Sequence, residues 1–283
     1  MADTTLPSLF VSHGSPMLAL EPGAAGAFMQ QLGPALDAAF GRPRAIVVAS
    51  AHSLAREPAL LAAARHTTVH DFGGFPQPLY ELRYDAPGAP ELAPRVAEHI
   101  RGAGLPVHVV SEGGLDHGIW IPLRFAYPGT DVPVLPLAFP ADWSPRQLHA
   151  LGRALAPLRS QGVLVLGSGS ITHNLRLVFS RGTRADAPEM PESAAFRRWF
   201  AERSAAQDGE ALFDYRRQAP HAALMHPSDE HLLPWYVAAG AGHEGPMRRV
   251  HDSVTMGCLG MDAYAFGAQV PLLLQQLAEA VAA

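Results

Sequence analysis

The stretch Val163-Leu164-Val165-Leu166-Gly167-Ser168-Gly169-Ser170-Ile171-Thr172-His173-Asn174 decides the fold. Four consecutive apolar residues have the composition of a strand buried on both faces, and the glycines and serines behind them end it. A histidine then follows. The same design recurs upstream: residues 9–11 lead to Ser12-His13-Gly14-Ser15-Pro16, and residues 45–49 lead to Ser50-Ala51-His52-Ser53. Residues 107–110 lead through Ser111-Glu112-Gly113-Gly114-Leu115-Asp116 to His117. Residues 132–137 read as a fifth strand weakened by prolines. Between these runs, residues 26–39, 90–103 and 145–158 carry apolar side chains at three- and four-residue spacing, the mark of helices. Such alternation predicts an α/β fold with a central, mostly parallel (mixed) β-sheet covered by helices on both faces.

The last third departs from that rhythm. Residues 196–206 read as a helix and another segment starts at Phe213. Pro227-Ser228-Asp229-Glu230-His231 is expected to open a helix, with Ser228 as N-cap and two acids in the first turn. Residues 270–282 form a final helix with Pro271 at its start, and residues 180–191 a surface excursion. With no fixed-period repeat and no linker, residues 1–283 are expected to form one catalytic domain.

Composition narrows the function. A hydrophobic fraction of 48% with 17% charged residues suits a chain that buries a large core. A single cysteine, Cys258, rules out an internal disulfide and a Cys-based zinc site and suits a reducing cytoplasm; it reads as a buried apolar filler. A net charge of -5 without a basic run gives no footprint for nucleic acid or anionic lipid. Neither a signal-like N-terminus nor an apolar run of about 18 residues is present, so no membrane association and a cytoplasmic location are expected. Fourteen histidines are the unusual feature, because histidine is the commonest metal ligand and titrates near neutral pH.

In an open parallel α/β sheet the ligand crevice lies beyond the carboxyl ends of the strands. One histidine there is an ordinary loop residue; four in corresponding positions, His13, His52, His117 and His173, point to a shared site. Glycines around them are expected to let backbone approach a ligand. His66, His99, His108, His149, His221, His243 and His251 read as structural or solvated. His70 lies in the Gly- and aromatic-rich segment Asp71-Phe72-Gly73-Gly74-Phe75-Pro76, which suits a pocket wall. His226 and His231 bracket the Pro227 segment and only one need face inward, while Glu230 is an alternative ligand beside His231. Phe72, Phe75, Tyr80 and Trp120 sit next to these residues and suit an aromatic ligand, although each singly is ordinary core. Arg83, Arg124 and Arg176 are the candidates to meet a substrate carboxylate.

Taken in order, His13-Gly-Ser-Pro16, Ser50-Ala-His52, His70-Asp-Phe-Gly-Gly-Phe-Pro76, Leu115-Asp-His117-Gly with Trp120, His173-Asn-Leu and Glu230-His231 before Pro234 resemble the DOPA 4,5-dioxygenase-like branch of the class III extradiol ring-cleavage dioxygenases. The resemblance runs from residue 13 to 234. It implies one divalent metal ion held by His13, His52 and a third ligand that looks like His231, with His173 as acid and base and His117 as a second active-site histidine. The partners it implies are a small aromatic diol and O2, in a pocket expected to include His70, Phe75 and Trp120. Relatives in the wider class use two histidines and a carboxylate around Fe2+, whereas three histidines also suit Zn2+, so the metal stays open. Opening a catechol ring takes a metal with exchangeable positions, a base for the phenolic proton and later an acid, and a histidine of near-neutral pKa does both. Two rivals use the same residues: a zinc-dependent hydrolase with His173 as proton shuttle, and a serine hydrolase built on Gly167-Ser-Gly-Ser170. The second lacks the Gly-x-Ser-x-Gly spacing, since Ile171 follows Ser170. A metal-binding or regulatory module without turnover is the non-enzymatic alternative.

Overall fold

A computed structural model describes residues 5–181 and 184–282; residues 1–4, which carry the N-terminal reading, and residues 182–183 of the expected surface excursion lie outside them. The first half runs β1 (Ser8–Ser12), α1 (Gly23–Phe40), β2 (Ala45–Ser50), β3 (Ala59–Leu61), β4 (Thr67–Thr68), α2 (Gln77–Glu81), α3 (Ala93–Gly102), β5 (His108–Val110), β6 (Gly114–Leu115), α4 (His117–Ala126) and β7 (Val134–Ala138). Next come α5 (Pro145–Leu155), β8 (Val163–Gly169), α6 (Leu175–Arg181) and α7 (Pro191–Ala205). Three short helices follow, α8 (Gly209–Phe213), α9 (Tyr215–Gln218) and α10 (Ala222–Met225), before α11 (Leu233–Ala241). The chain closes with β9 (Met247–His251), β10 (Val254–Thr255), β11 (Leu259–Gly260), β12 (Ala263–Phe266) and α12 (Val270–Ala282).

Eight strands form one sheet in the order β5-β3-β7-β2-β8-β1-β12-β9. The central four, β7, β2, β8 and β1, are parallel; β12 and β9 add antiparallel on one side, and β3 sets antiparallel to β7 on the other. Side chains alternate faces as strand geometry requires. Phe10, Val47, Ala49 and Val165 point into a core shared with α3, α5, α7 and α11. Leu9, Val11, Val48 and Leu166 point into the opposite core, beneath α1, α4 and α12. The fold is thus α/β with a mixed, mostly parallel sheet covered on both faces, as the strand and helix rhythm predicts. No helix among the described residues is long and apolar enough to cross a membrane.

The expected helix at 145–158 forms through Leu155 and finishes as a tighter turn over Ala156–Gln161; Ser144 caps it, accepting from the Gln147 amide while the Gln147 side chain accepts from the Ser144 amide. Two expectations change. The helix placed at Pro227 begins at Leu233, and the Ser228 hydroxyl donates to Glu230 (3.1 Å) instead of capping. Pro234 is the reason: a helix from 228 would put it in the interior, where it clashes and lacks its donor, whereas in a first turn it costs nothing. The strand at 107–110 forms, but as the exposed edge strand β5, parallel to β3 and so opposed to the central four. Its carboxyl end therefore lies at the opposite end of the sheet from those of the central four. His117 returns to the site through β6 and the start of α4.

Helix α11 is buried throughout and crosses α5 at glycines. A methyl group on Gly152 would lie 2.0 Å from the Val237 carbonyl oxygen, and one on Gly240 would lie 2.1 Å from that of His149. Because backbone cannot retreat as a side chain can, Gly152→Ala is expected to destabilise the fold by about 2 kcal/mol, the usual cost of overpacking. Urea titration should show a lower midpoint at unchanged slope, and an unshifted midpoint would mean the helices separate freely.

Candidate metal and catalytic centre

Strands β1, β2 and β8 end side by side, so the residues just past them meet. His13 follows β1, and its backbone N–H donates to the Gly169 carbonyl (3.0 Å). His52 follows β2, and His231 arrives from the turn before α11. The ring centres of these three lie 5.0 to 5.5 Å apart, and the Nε2 atoms of His13 and His52 are separated by 3.1 Å. Two nitrogens bound to one first-row ion at about 2.0–2.1 Å would be about 2.9–3.4 Å apart. The pair already has that spacing.

Hydrogen bonds decide which nitrogen each ring offers. The Ser168 hydroxyl donates to the Gly118 carbonyl, so it accepts from His13 Nδ1 (3.0 Å) and leaves His13 Nε2 with a lone pair. The Glu230 carboxylate can only accept, so His231 donates from Nδ1 (3.0 Å) and likewise presents Nε2. The Nδ1 of His52 faces Asp71 at 3.5 Å. One ligand atom from each of the three lies within 4.8 Å of the others. The sets His52, Asp71, His117 and His173, Glu230, His231 are as close, but their carboxylates are engaged by imidazole N–H groups. A three-nitrogen donor set, with His13 and His231 held from behind by hydrogen bonds and His52 facing Asp71, therefore fits a divalent ion.

Burial, reinforced by neighbouring imidazoles, holds His13 well below the ordinary histidine pKa and brings His52 to about 3. Burial likewise lowers His231. These rings are neutral, the form a metal takes up without displacing protons. Glu230, hydrogen-bonded to His231, drops to about 2 and stays ionised. The near-neutral pKa expected for His173 is not found: burial, then His231 and His226, lower it to about 2. Its ring stacks on His231 at 3.4 Å and 7°, and its backbone N–H donates to the Met225 carbonyl (2.9 Å).

His117 is the first residue of α4, and its ring centre lies 4.0 Å from that of His52. The Asp71 carboxylate accepts from both its backbone N–H (2.9 Å) and its Nδ1 (3.0 Å). Sequence reasoning passed over Asp71 in favour of its neighbour His70, and gave no role to Asp116. The buried Asp116 carboxylate accepts from Ser50 (2.7 Å) and Ser53 (2.6 Å), the hydroxyls flanking His52, and so fixes that loop. Two serines around His52 were the only local hint of a buried acceptor. Asp71→Ala removes the acceptor shared by His117 and facing His52, and is expected to lower kcat/KM or metal affinity roughly 10- to 100-fold. Metal titration and steady-state rates on one preparation check it, and unchanged values would reduce Asp71 to a surface acid.

The five histidines border a cavity of about 350 Å³ with Phe72 and Phe75 on one side and Leu175, Val178 and Phe179 of α6 on another. Phe75 is on that lining. His70 and Trp120 are not: His70 Nε2 lies 3.2 Å from the Leu82 carbonyl oxygen behind Phe72, and the fully buried Trp120 donates to the Val69 carbonyl (3.1 Å), supporting the loop from behind. Arg83 and Arg124 border a different cavity. His226 is buried with Nε2 2.7 Å from the Ile171 carbonyl oxygen. Ser170 donates to the Thr172 carbonyl (2.8 Å), so both serines of the Gly167 turn are committed to backbone, which removes the serine-nucleophile reading. Gly118 and Gly169 serve chain packing, since a methyl on Gly118 would lie 2.9 Å from His13 Nδ1 and one on Gly169 would lie 2.0 Å from the His231 carbonyl oxygen, whereas Gly14 borders the cavity itself.

Residues 7–267 match the family described as the catalytic LigB subunit of aromatic ring-opening dioxygenase. A 4,5-DOPA dioxygenase extradiol of Escherichia coli (strain K12) is 37% identical over 276 residues, 94% of this chain and 97% of that protein. One of the same name from Beta vulgaris is 35% identical over 268 residues, 93% of this chain and 97% of its own length. The crystal structure of an uncharacterized Escherichia coli K12 protein superposes with a TM-score of 0.72 at 29% identity, over 93% of this chain and 100% of that one.

Proposed function

The chain belongs to the LigB family of aromatic ring-opening dioxygenases and is an extradiol ring-cleavage oxidoreductase; from that premise we propose that it opens the ring of a catechol-type diol with O2 at the histidine centre. The observation that carries this is the convergence of His13, His52 and His231 at the floor of a cavity with aromatic and aliphatic walls. These three would hold one divalent ion. That ion, Fe2+ or Zn2+, supplies Lewis acidity toward the diol oxygens and, as Fe2+, the redox chemistry that O2 requires.

The rest falls to the chain. His173 borders the cavity, so its position is what supports a role in taking the phenolic proton at a ring nitrogen and returning it later, while its lowered pKa in the ligand-free protein makes it a weak base until a diol is bound. His117, with Nδ1 committed to Asp71, offers Nε2 as an acceptor that orients a substrate hydroxyl. Phe72, Phe75 and Val178 bind the ring by apolar contact and keep water from the reacting carbons. Anaerobic reconstitution with Fe(II), then O2 and a panel of catechols, tests the reading. Oxygen uptake with a yellow semialdehyde product is expected. No uptake with any catechol or aminophenol would overturn it and leave zinc-dependent hydrolysis at the same histidines ahead.

A further inference from the structure

Beside the histidine cavity lies a second of about 390 Å³, and the two share Ser15, Met17 and Met256 as a common wall. Met256 sits at the tip of the hairpin joining β10 and β11, where Met256 (φ +53°) and Gly257 (φ +66°) take the left-handed conformations of a tight hairpin turn. Methionine side chains are flexible and adapt to what they touch, so Met17 and Met256 make this partition deformable. Beyond it the surface is formed by Leu18, Pro22, Ala25, Val254 and Met261.

Volume and charge then limit what fits. A cavity of about 150 Å³ accommodates a benzene ring, so an unsubstituted catechol would leave much of the first cavity empty and all of the second. The 21 basic residues of the chain are all arginines, and among the described residues none borders either cavity. The charged residues that do are acids: Asp71 in the first, Glu21 and Asp186 in the second, with Asp186 paired to Arg184 (2.9 Å). With the divalent ion taken up by the diol oxygens, a carboxylate on the substituent would give up part of its hydration to apolar walls beside Glu21 and Asp186, with no guanidinium on the described lining to pair with it.

Resting on the ring-opening reading above, we infer that the substrate is a catechol carrying an uncharged, apolar substituent, the diol lying at the histidines and the substituent reaching past Met17 and Met256 into the second cavity. The matched test uses 3-(3,4-dihydroxyphenyl)propanoate and its methyl ester, which differ in charge at almost equal size, together with 4-methylcatechol and 4-hexylcatechol. With Fe(II)-reconstituted enzyme, kcat/KM should favour the ester over the acid roughly 100-fold. It should favour the hexyl over the methyl compound at least about 10-fold, since each buried methylene contributes up to about 4-fold. Val254→Trp, which fills the second cavity, should lower the hexyl-to-methyl ratio about 10-fold. An acid, or DOPA itself, opened as well as the ester would overturn the charge argument; a ratio untouched by Val254→Trp would overturn the assignment of the second cavity. Anaerobic calorimetric binding of ester and acid separates the two readings. Tighter binding of the ester without ring opening supports this inference while sinking the reaction, and equal binding sinks this inference whatever the turnover.

Discussion

His13→Ala is expected to come from purification without stoichiometric metal and with ring-opening activity at background, the two lost together. His13 is 1% exposed, follows β1 and borders the histidine cavity, so the alanine enlarges that cavity. His52 and His231 remain, but two nitrogens hold a divalent ion far less well than three, and the metal is expected to be lost during dialysis. The fold should survive, because the Ser168 hydroxyl keeps its bond to the Gly118 carbonyl when its imidazole partner is gone. Elemental analysis and oxygen uptake on the same preparation, with thermal unfolding as control, check this. Chelation followed by added Fe(II) should restore the wild type and not the variant. A variant that kept one metal per chain would remove His13 from the donor set.

His173→Ala is expected to keep its metal and still bind a catechol while turnover falls roughly 10²- to 10⁴-fold, the usual worth of a positioned proton-transfer group. The geometry also supplies a control. Because the His173 ring stacks on His231, alanine removes a support for a proposed ligand as well as a base. His173→Phe keeps a flat ring at that place without a proton-accepting nitrogen. If both variants retain metal and lose turnover alike, the lost function is proton transfer; if alanine alone sheds metal, the stacking matters for binding. Metal lost from both would make His173 a ligand, with His231 and Glu230 as its companions in an alternative donor set.

Much of this architecture follows from local sequence. The apolar runs that became β1, β2 and β8 are short, carry β-branched or aromatic residues and are closed by Gly or Ser, so each reads as a strand buried on both faces. Helix spacing located α1, α3 and α5 for the same reason, since periodicity records which side of an element is dry. Once strands and helices alternate, a parallel centre with its crevice at the strand ends follows. His13, His52 and His173, set just beyond three central strands, had to gather there.

What tertiary structure alone decided depends on partners distant in the chain. Nothing in residues 107–110 tells that β5 pairs with β3 and runs against the central strands, because strand direction depends on the connection that delivers the strand, and His117 reaches the cavity from α4. Strands β9 and β12 went unread because their pairing, not their composition, makes them strands. The roles of Asp71 and Asp116 depend on hydrogen bonds to His117, Ser50 and Ser53, which lie 46 to 66 residues away. Which imidazole nitrogen is free is set by Ser168 and Glu230, and only folding brings Ser168 to His13, across 155 residues. Sequence periodicity fixes which face of an element avoids water. The partner that takes each buried donor, and the shape of the space left between elements, exist only after the faces have met.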